Sequence, residues 1–180
     1  MPGDARVVLD SEAIARALRR IAGEITERHR GAADVALVGI RRGGVPIAGR
    51  LARLIGEVEG IEPPIGAVDI TLYRDDAPYA LAKPVIGPTE LPFDVHRKVI
   101  VLVDDVLYTG RTIRCAVDAV LDYGRPRVIE VAVLLDRGGR ELPIRADYVG
   151  KVVEARADEH IEVTLDETGG RAEIRRAAPG

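Results

Sequence analysis

Val99-Ile100-Val101-Leu102-Val103-Asp104-Asp105-Val106-Leu107-Tyr108-Thr109-Gly110-Arg111-Thr112 is the stretch whose reading decides the fold. It opens on five apolar residues without alternation, which suits a strand covered on both faces. The strand is expected to end in Asp104-Asp105, followed by a loop from Val106 to Arg111. A helix from Thr112 to about Tyr123 comes next, closed by Gly124 and Pro126. Two adjacent carboxylates at the end of a buried strand repel each other and are poorly solvated, so folding alone does not favour them. They make sense where they meet hydroxyls or a cation. Thr109-Gly110-Arg111-Thr112 then opens a helix with backbone N–H groups, two hydroxyls and the positive end of the helix dipole, which together seat a phosphate. Gly110 lets the backbone approach the anion closely. An ordinary strand–turn–helix would account for either half alone. Acid for sugar hydroxyls followed at once by a phosphate seat is the specific combination.

The pattern repeats outward from this segment. Val35 to Ile40 is another apolar run, stopping at Arg41-Arg42-Gly43-Gly44, and Pro46 suits the first turn of a helix reaching about Ile55. Ile65 to Leu72 is a strand candidate, and Val128 to Leu135 is a buried one broken by Asp136-Arg137-Gly138-Gly139-Arg140. Shorter strands are expected at 146–153, 161–165 and 171–175. Near the start, Asp10-Ser11 can cap a helix in which Ile14, Ala17, Leu18, Ile21 and Ile25 repeat at helical spacing, with Arg16, Arg19 and Arg20 on the opposite face. Strands alternating with helices predict an α/β domain with a mainly parallel central sheet flanked by helices. The crevice of such a sheet lies at the carboxyl ends of its strands, which selects the loops at 41–44, 104–112 and 136–140. Residues 73–97, with Pro78, Pro84, Pro88 and Pro92, are expected to form a flexible flap or protruding hairpin.

Length and composition agree with one domain over residues 1–180: 47% of the residues are apolar and 31% charged. Disorder is not expected at that apolar content, and no apolar stretch reaches the roughly 18 residues of a membrane helix. The start, MPGDARVV, lacks a basic segment followed by an apolar core, so no secretory signal is visible. Cys115 stands alone and can form neither an internal disulfide nor a zinc cluster. The expectation is a soluble, cytoplasmic chain without a membrane partner. A net charge of −3 argues against a uniformly basic nucleic-acid binder but not against a local basic patch. No G-x-G-x-x-G follows the first buried strand, so a dinucleotide site is a weak reading.

Residues 99–112 resemble the phosphoribosyl-pyrophosphate (PRPP) signature of the type I phosphoribosyltransferases. Three stretches are similar, more narrowly, to the bacterial pyrimidine operon attenuators with uracil phosphoribosyltransferase activity, the PyrR family. They are Asp69-Ile70-Thr71-Leu72-Tyr73-Arg74-Asp75-Asp76, then Val103 to Thr112, then Leu135-Asp136-Arg137-Gly138 with Arg140-Glu141-Leu142-Pro143-Ile144-Arg145-Ala146-Asp147-Tyr148. The likeness runs from about Leu9 to Lys151. It implies the type I fold, with a flexible flap and a small hood beside the central sheet. It further implies transfer of a ribosyl phosphate from PRPP to uracil, giving UMP and pyrophosphate, together with UMP-responsive binding of pyrimidine operon leader mRNA that promotes transcription attenuation.

By that resemblance Asp104 and Asp105 would bind the ribose hydroxyls. Val106, Leu107, Tyr108, Thr109, Gly110, Arg111 and Thr112 would hold the 5-phosphate. Arg41, Arg42, Gly43 and Gly44 would contact pyrophosphate, and Arg74, at the root of the flap, would close over it. Leu134 to Arg137, with Asp136 and Arg137, would seat the base. Mg²⁺ would be carried mainly by PRPP, with no dedicated protein metal site, since Mg²⁺ keeps several waters and few carboxylates. The assembly would be a homo-oligomer, expected as a dimer. Two departures stand out. The family's pyrophosphate loop usually reads Thr-Arg-Gly where this chain has Arg42-Gly43-Gly44, so catalysis is expected to be weak unless Arg41 or Arg42 replaces the missing guanidinium. Val152 to Asp158 also departs from the family's asparagine- and serine-containing run.

Charge supplies the regulatory half. Residues 137–151 carry Arg137, Arg140, Arg145 and Lys151 against Glu141 and Asp147. If the first helix lies beside them, Arg19, Arg20, Arg140, Arg145 and Lys151 make a basic RNA-binding platform on an acidic protein. A solvated helix face explains the helical arginines equally well without the resemblance. Two alternatives stay open: an RNA-binding regulator with negligible catalysis, and a phosphoribosyltransferase for another base with no RNA role.

Overall fold

The computed structural model describes residues 5–70, 88–166 and 169–176. In chain order the elements are β1 (Arg6–Leu9), α1 (Ser11–His29), β2 (Val35–Arg41), α2 (Gly44–Glu59), β3 (Ile65–Asp69), β4 (Val99–Leu107), α3 (Arg111–Leu121), β5 (Val128–Asp136), β6 (Tyr148–Val152), β7 (Glu159–Leu165) and β8 (Gly170–Arg176). β3-β2-β4-β5-β6 form a parallel five-stranded sheet, and β1-β8-β7 a small antiparallel one that fits the expected hood.

The unalternating apolar runs follow from what covers each face. Leu37, Val99, Val101, Val103, Ala132 and Leu134 point to α1 and α2, among Ile14, Leu18, Ile21, Ile47, Leu51 and Ile55. The intervening residues Ala36, Val38, Ile40, Ile100, Leu102, Val131 and Val133 point the other way, to Ile113, Ala116 and Val120 of α3. Period-two side chains with an apolar layer on both sides give an uninterrupted apolar strand.

Three local features differ from the sequence expectation, and the expected cap of α1 forms. β4 does not stop at the acidic pair: Asp104, Val106 and Leu107 still pair with Val133, Leu135 and Asp136, because β5 is long enough to carry the ladder past it. The phosphate loop therefore shrinks to Tyr108–Gly110. β1, unmarked in the sequence, pairs with the carboxyl-terminal strand β8. The cap of α1 is Asp10, whose carboxylate accepts the Ala13 N–H at 2.8 Å, while Ser11 exchanges hydrogen bonds with Gly170 and fastens the helix to the hood. Of the predicted flap, residues 71–87 lie outside the described residues, Arg74 among them. Residues 88–97 pack down: Glu90 bridges to Ala67, and Leu91, Phe93 and Val95 join the α3-side core. No described helix is long and apolar enough to cross a membrane.

Candidate functional site

The sheet order changes direction between β2 and β4, since from β2 the chain first adds β3 on one side and then β4 on the other. That is the switch point where a crevice opens at the strands' carboxyl ends. Two glycines bring its walls together. A Cβ at Gly44 would overlap the Val103 carbonyl oxygen, and one at Gly43 would overlap the Asp105 carboxylate. The first turn of α2 can rest against the end of β4 only because both side chains are missing. Arg41 and Arg42, joined by a cis peptide, take different positions. Arg41 pairs with Glu90 at 2.9 Å, whereas Arg42 is exposed at the mouth of the loop.

Across the crevice Asp104 is only 5% exposed and its carboxylate accepts the Asp105 N–H at 2.9 Å. Asp105, half-buried, accepts the Val106 N–H at 2.8 Å. Each acid is thus oriented by the backbone one residue on. In the loop that follows, Thr109 is buried and its hydroxyl oxygen accepts the Arg111 N–H at 3.3 Å. Gly110 has φ 94°, a left-handed conformation that starts α3 without a side-chain cap. A glycine is suited to that turn because other L residues are strained there. Arg111 points outward to Glu141 at 2.6 Å. Leu107, expected among the phosphate-binding residues, has its side chain in the core, and its carbonyl accepts the Arg137 N–H at 3.1 Å.

The third loop, after β5, wraps the second. Asp136 accepts the Gly138 N–H at 2.9 Å and pairs with Arg140. The Arg137 guanidinium lies 4.0 Å from the centre of the Tyr108 ring and donates to the carbonyls of Arg156 and Glu159 in the hood, at 2.9 and 3.0 Å. The three loops selected by the strand-end rule do meet at one crevice: acids on β4, N–H groups and hydroxyls on the loop into α3, and guanidinium groups on either side. Carboxylates for vicinal hydroxyls beside a seat for a phosphate are what a ribose 5-phosphate requires.

Comparison with known proteins decides the family. Residues 5–168 match the phosphoribosyl transferase domain. The chain is 54% identical over 167 residues to the "Bifunctional protein PyrR" of Pelotomaculum thermopropionicum, covering 93% of this chain and 92% of that protein. It is 56% identical over 163 residues to the protein of the same name from Roseiflexus sp., covering 91% and 89%. The chain belongs to the PyrR family of phosphoribosyltransferases. Among solved structures it resembles a hypoxanthine phosphoribosyltransferase from Staphylococcus aureus, with TM-score 0.67 and 21% identity over 84% of this chain and 79% of that one, a likeness of fold. A purine phosphoribosyltransferase from Pyrococcus horikoshii aligns at TM-score 0.62 and 28% identity, over 81% and 86%. The type I fold expected from the signature is the fold observed.

The basic face expected of a PyrR protein forms only in part. α1 does lie beside β6: Arg20 donates to the carbonyls of Val149 and Gly150 at 3.0 and 2.7 Å. Arg19 and Arg145 are exposed, and Lys151, exposed in β6, donates to the Val8 carbonyl at 3.1 Å. A cleft beside it is lined by Arg6, Lys151, Arg156 and Arg176 against Glu154 and Glu159. Arg140 does not belong to this face. It is turned into the crevice wall, where Asp136 and three carbonyl oxygens occupy it.

Sequence reasoning missed a second polar cluster. Glu130, 2% exposed in β5, accepts from the Tyr148 hydroxyl at 2.6 Å and lies 2.9 Å from His29 Nε2 and 3.1 Å from Arg28 Nε. A glutamate inside Val128–Leu135 was its one visible signal, because a buried acid requires partners. Burial and the hydrogen bond to Glu130 push the Tyr148 hydroxyl well above the usual phenol range. Cys115 lies in the α3 core, where burial raises its thiol, so it acts as a small packed hydrophobe.

Proposed function

We propose that the chain has two coupled activities: it converts uracil and PRPP to UMP and pyrophosphate, and it binds pyrimidine operon leader mRNA in response to UMP to promote transcription attenuation. The observation that carries the reading is the paired acids Asp104 and Asp105 at the switch point, next to the loop through Thr109 and Gly110. In the reaction a carbon–nitrogen bond forms at the anomeric carbon as its bond to pyrophosphate breaks. The bonding electrons leave on pyrophosphate and the uracil proton passes to water. A sugar-cation-like transition state requires orientation and charge neutralisation more than a nucleophilic side chain.

Asp104 and Asp105 orient the ribose hydroxyls, and the backbone and hydroxyls of Val106 to Thr112 hold the 5-phosphate. Arg42, exposed beside Gly43 and Gly44, meets the pyrophosphate, with Arg41 behind it and Arg74 closing from the segment outside the described residues. Asp136 and Arg137 border the base. Phosphoribosyltransferases generally use Mg²⁺ with PRPP, and it neutralises the leaving group's charge when bound. The carboxylates of Asp104 and Asp105 are hard oxygen donors that suit such an ion or its waters, and no described group of three or more His, Cys, Asp or Glu side chains forms a cage for it. The RNA meets Arg19, Arg20, Arg145 and Lys151, and the working unit is a homodimer. UMP is both product and signal, shifting the protein toward its RNA-binding arrangement.

A weak-enzyme reading has its own support in Gly43, where an arginine side chain would displace Asp105. One preparation tests both. UMP formation from uracil, PRPP and Mg²⁺, and leader-RNA affinity with and without UMP, should both be measurable, and UMP should tighten the RNA complex. RNA binding without turnover leaves the regulator alone. Turnover only with another base, or equal affinity for unrelated RNAs, overturns the dual reading.

A further inference from the structure

The phosphate loop does not shape itself. Two of its successive carbonyls are drawn outward by a segment about thirty residues downstream. Arg140 Nη1 donates to the Tyr108 carbonyl at 2.7 Å, and the Glu141 and Leu142 N–H groups donate to the Thr109 carbonyl at 2.9 and 3.2 Å. A trans peptide is planar, with its C=O and N–H on opposite sides. Fixing the carbonyls of Tyr108 and Thr109 toward residues 140–142 therefore turns the N–H groups of Thr109 and Gly110 away from that segment. Successive N–H groups aligned in this way form an anion-binding concavity.

Arg140 is itself held in place. Nε donates to the Ile144 carbonyl at 2.8 Å, Nη1 reaches the Gly138 carbonyl at 3.3 Å as well as Tyr108, and Nη2 pairs with Asp136 at 2.5 Å. Only a planar fork with five donors can serve these acceptors at once, and a lysine ammonium cannot. Two flanking contacts keep Tyr108 in register: Arg137 lies over its ring, and a Cβ at Gly139 would overlap that ring.

We propose that Arg140 is a positioning residue for the ribosyl-phosphate pocket, setting the direction of the loop's N–H groups by holding the Tyr108 carbonyl, and linking that loop to Asp136 beside the base. This deepens the nucleotide-binding half of the proposed function and rests on it. The test compares Arg140→Lys, which keeps charge and stem, with Arg140→Gln and with Arg125→Ala as a control, exposed ahead of β5 at the end of the sheet opposite the crevice. UMP affinity is read by direct titration, and turnover kinetics are measured with PRPP and uracil varied separately. Both Arg140 variants should weaken UMP binding and raise the KM for PRPP by roughly 10- to 100-fold, since donors to charged and polar groups in such a network are lost. The KM for uracil and the kcat at saturating PRPP should move much less. Arg125→Ala should leave UMP affinity unchanged. Folding of each variant is checked by its melting curve, and a folded Arg140→Lys alone is sufficient to decide the matter. If Arg140→Lys binds UMP and PRPP within twofold of the parent, the proposal is overturned. If the parent protein binds UMP but neither turns over nor binds leader RNA, the functional reading fails while the UMP titration still decides the role of Arg140.

Discussion

The crevice at the ends of β2, β4 and β5 and the edge where α1 meets β5 and β6 are both polar places built on one apolar sheet, and they treat buried acid in opposite ways. At the edge Glu130 is enclosed by Arg28, His29 and Tyr148, with Arg28 also 3.6 Å from Asp147. At the crevice Asp104 and Asp105 are oriented by main-chain N–H groups and stand opposite two glycines. Side chains that fully surround an acid make it structural. Asp105, aimed by its own backbone across a wall cleared of side chains, is arranged for something that arrives later. The guanidinium groups divide in the same way: Arg28 serves the edge, Arg140 serves the crevice wall, and Arg19 and Arg145 face solvent.

The comparison breaks most visibly if the crevice acids turn out to be structural. Changing Asp104→Asn and Asp105→Asn together keeps shape and backbone acceptors but removes both charges. Hydrogen bonds to a charged group contribute about 1.5–3 kcal/mol each, so kcat/KM for PRPP should fall at least about 100-fold. The melting temperature is measured alongside, because Asp104 is only 5% exposed and its loss of charge is felt by the fold as well as by the ligand. A loss below about threefold, or a large fall in melting temperature with activity kept, would place these acids in the same class as Glu130.

How much of this was legible from residues alone depends on the range of the interaction. The central strands, the cap region of α1 and the acid-then-phosphate segment were legible because each is written in a few consecutive residues. The extent of β4 was not, since its continuation past Asp105 is set by the length of its partner β5. Neither was Arg140, whose basic character suggested an RNA contact. Its bonds to Tyr108, Asp136 and Ile144 arise only when three loops converge. Residues 88–97 read as flap because prolines punctuate them, yet Leu91, Phe93 and Val95 supply the cover that one face of the sheet still lacked. The Glu130 cluster needed an isolated acid to be matched to a histidine and a tyrosine far along the chain.

The edge makes the next test. Tyr148→Phe removes one donor from a buried carboxylate and should cost about 1–3 kcal/mol of stability, read as a lower denaturant midpoint, with UMP formation unchanged. The pH dependence follows from the raised phenol. The folded protein keeps Tyr148 protonated where the unfolded chain ionises, so its contribution is complete below about pH 10 and is lost as pH rises beyond that. Subtracting the Tyr148→Phe curve from the parent's should isolate this loss among the other tyrosines. A variant as stable as the parent at neutral pH would show that Arg28 and His29 satisfy Glu130 without it.

The smallest effect separates the outward-facing arginines from both polar places. Arg19 is exposed on α1, next to the Arg20 that reaches across to β6. If it meets a phosphate of the leader RNA, Arg19→Ala should weaken binding several-fold and reduce the slope of log affinity against log salt by about one, uniformly across sequence variants of the hairpin. UMP affinity and turnover should be untouched, because no bond to the phosphate loop is removed. The salt slope is the sharper readout, since a loss of fold would lower affinity without changing the number of counterions released by the molecules that still bind. An unchanged slope would assign Arg19 to the solvated face of the helix, and the RNA contact would then fall to Arg145, Lys151 and the cleft beside β6.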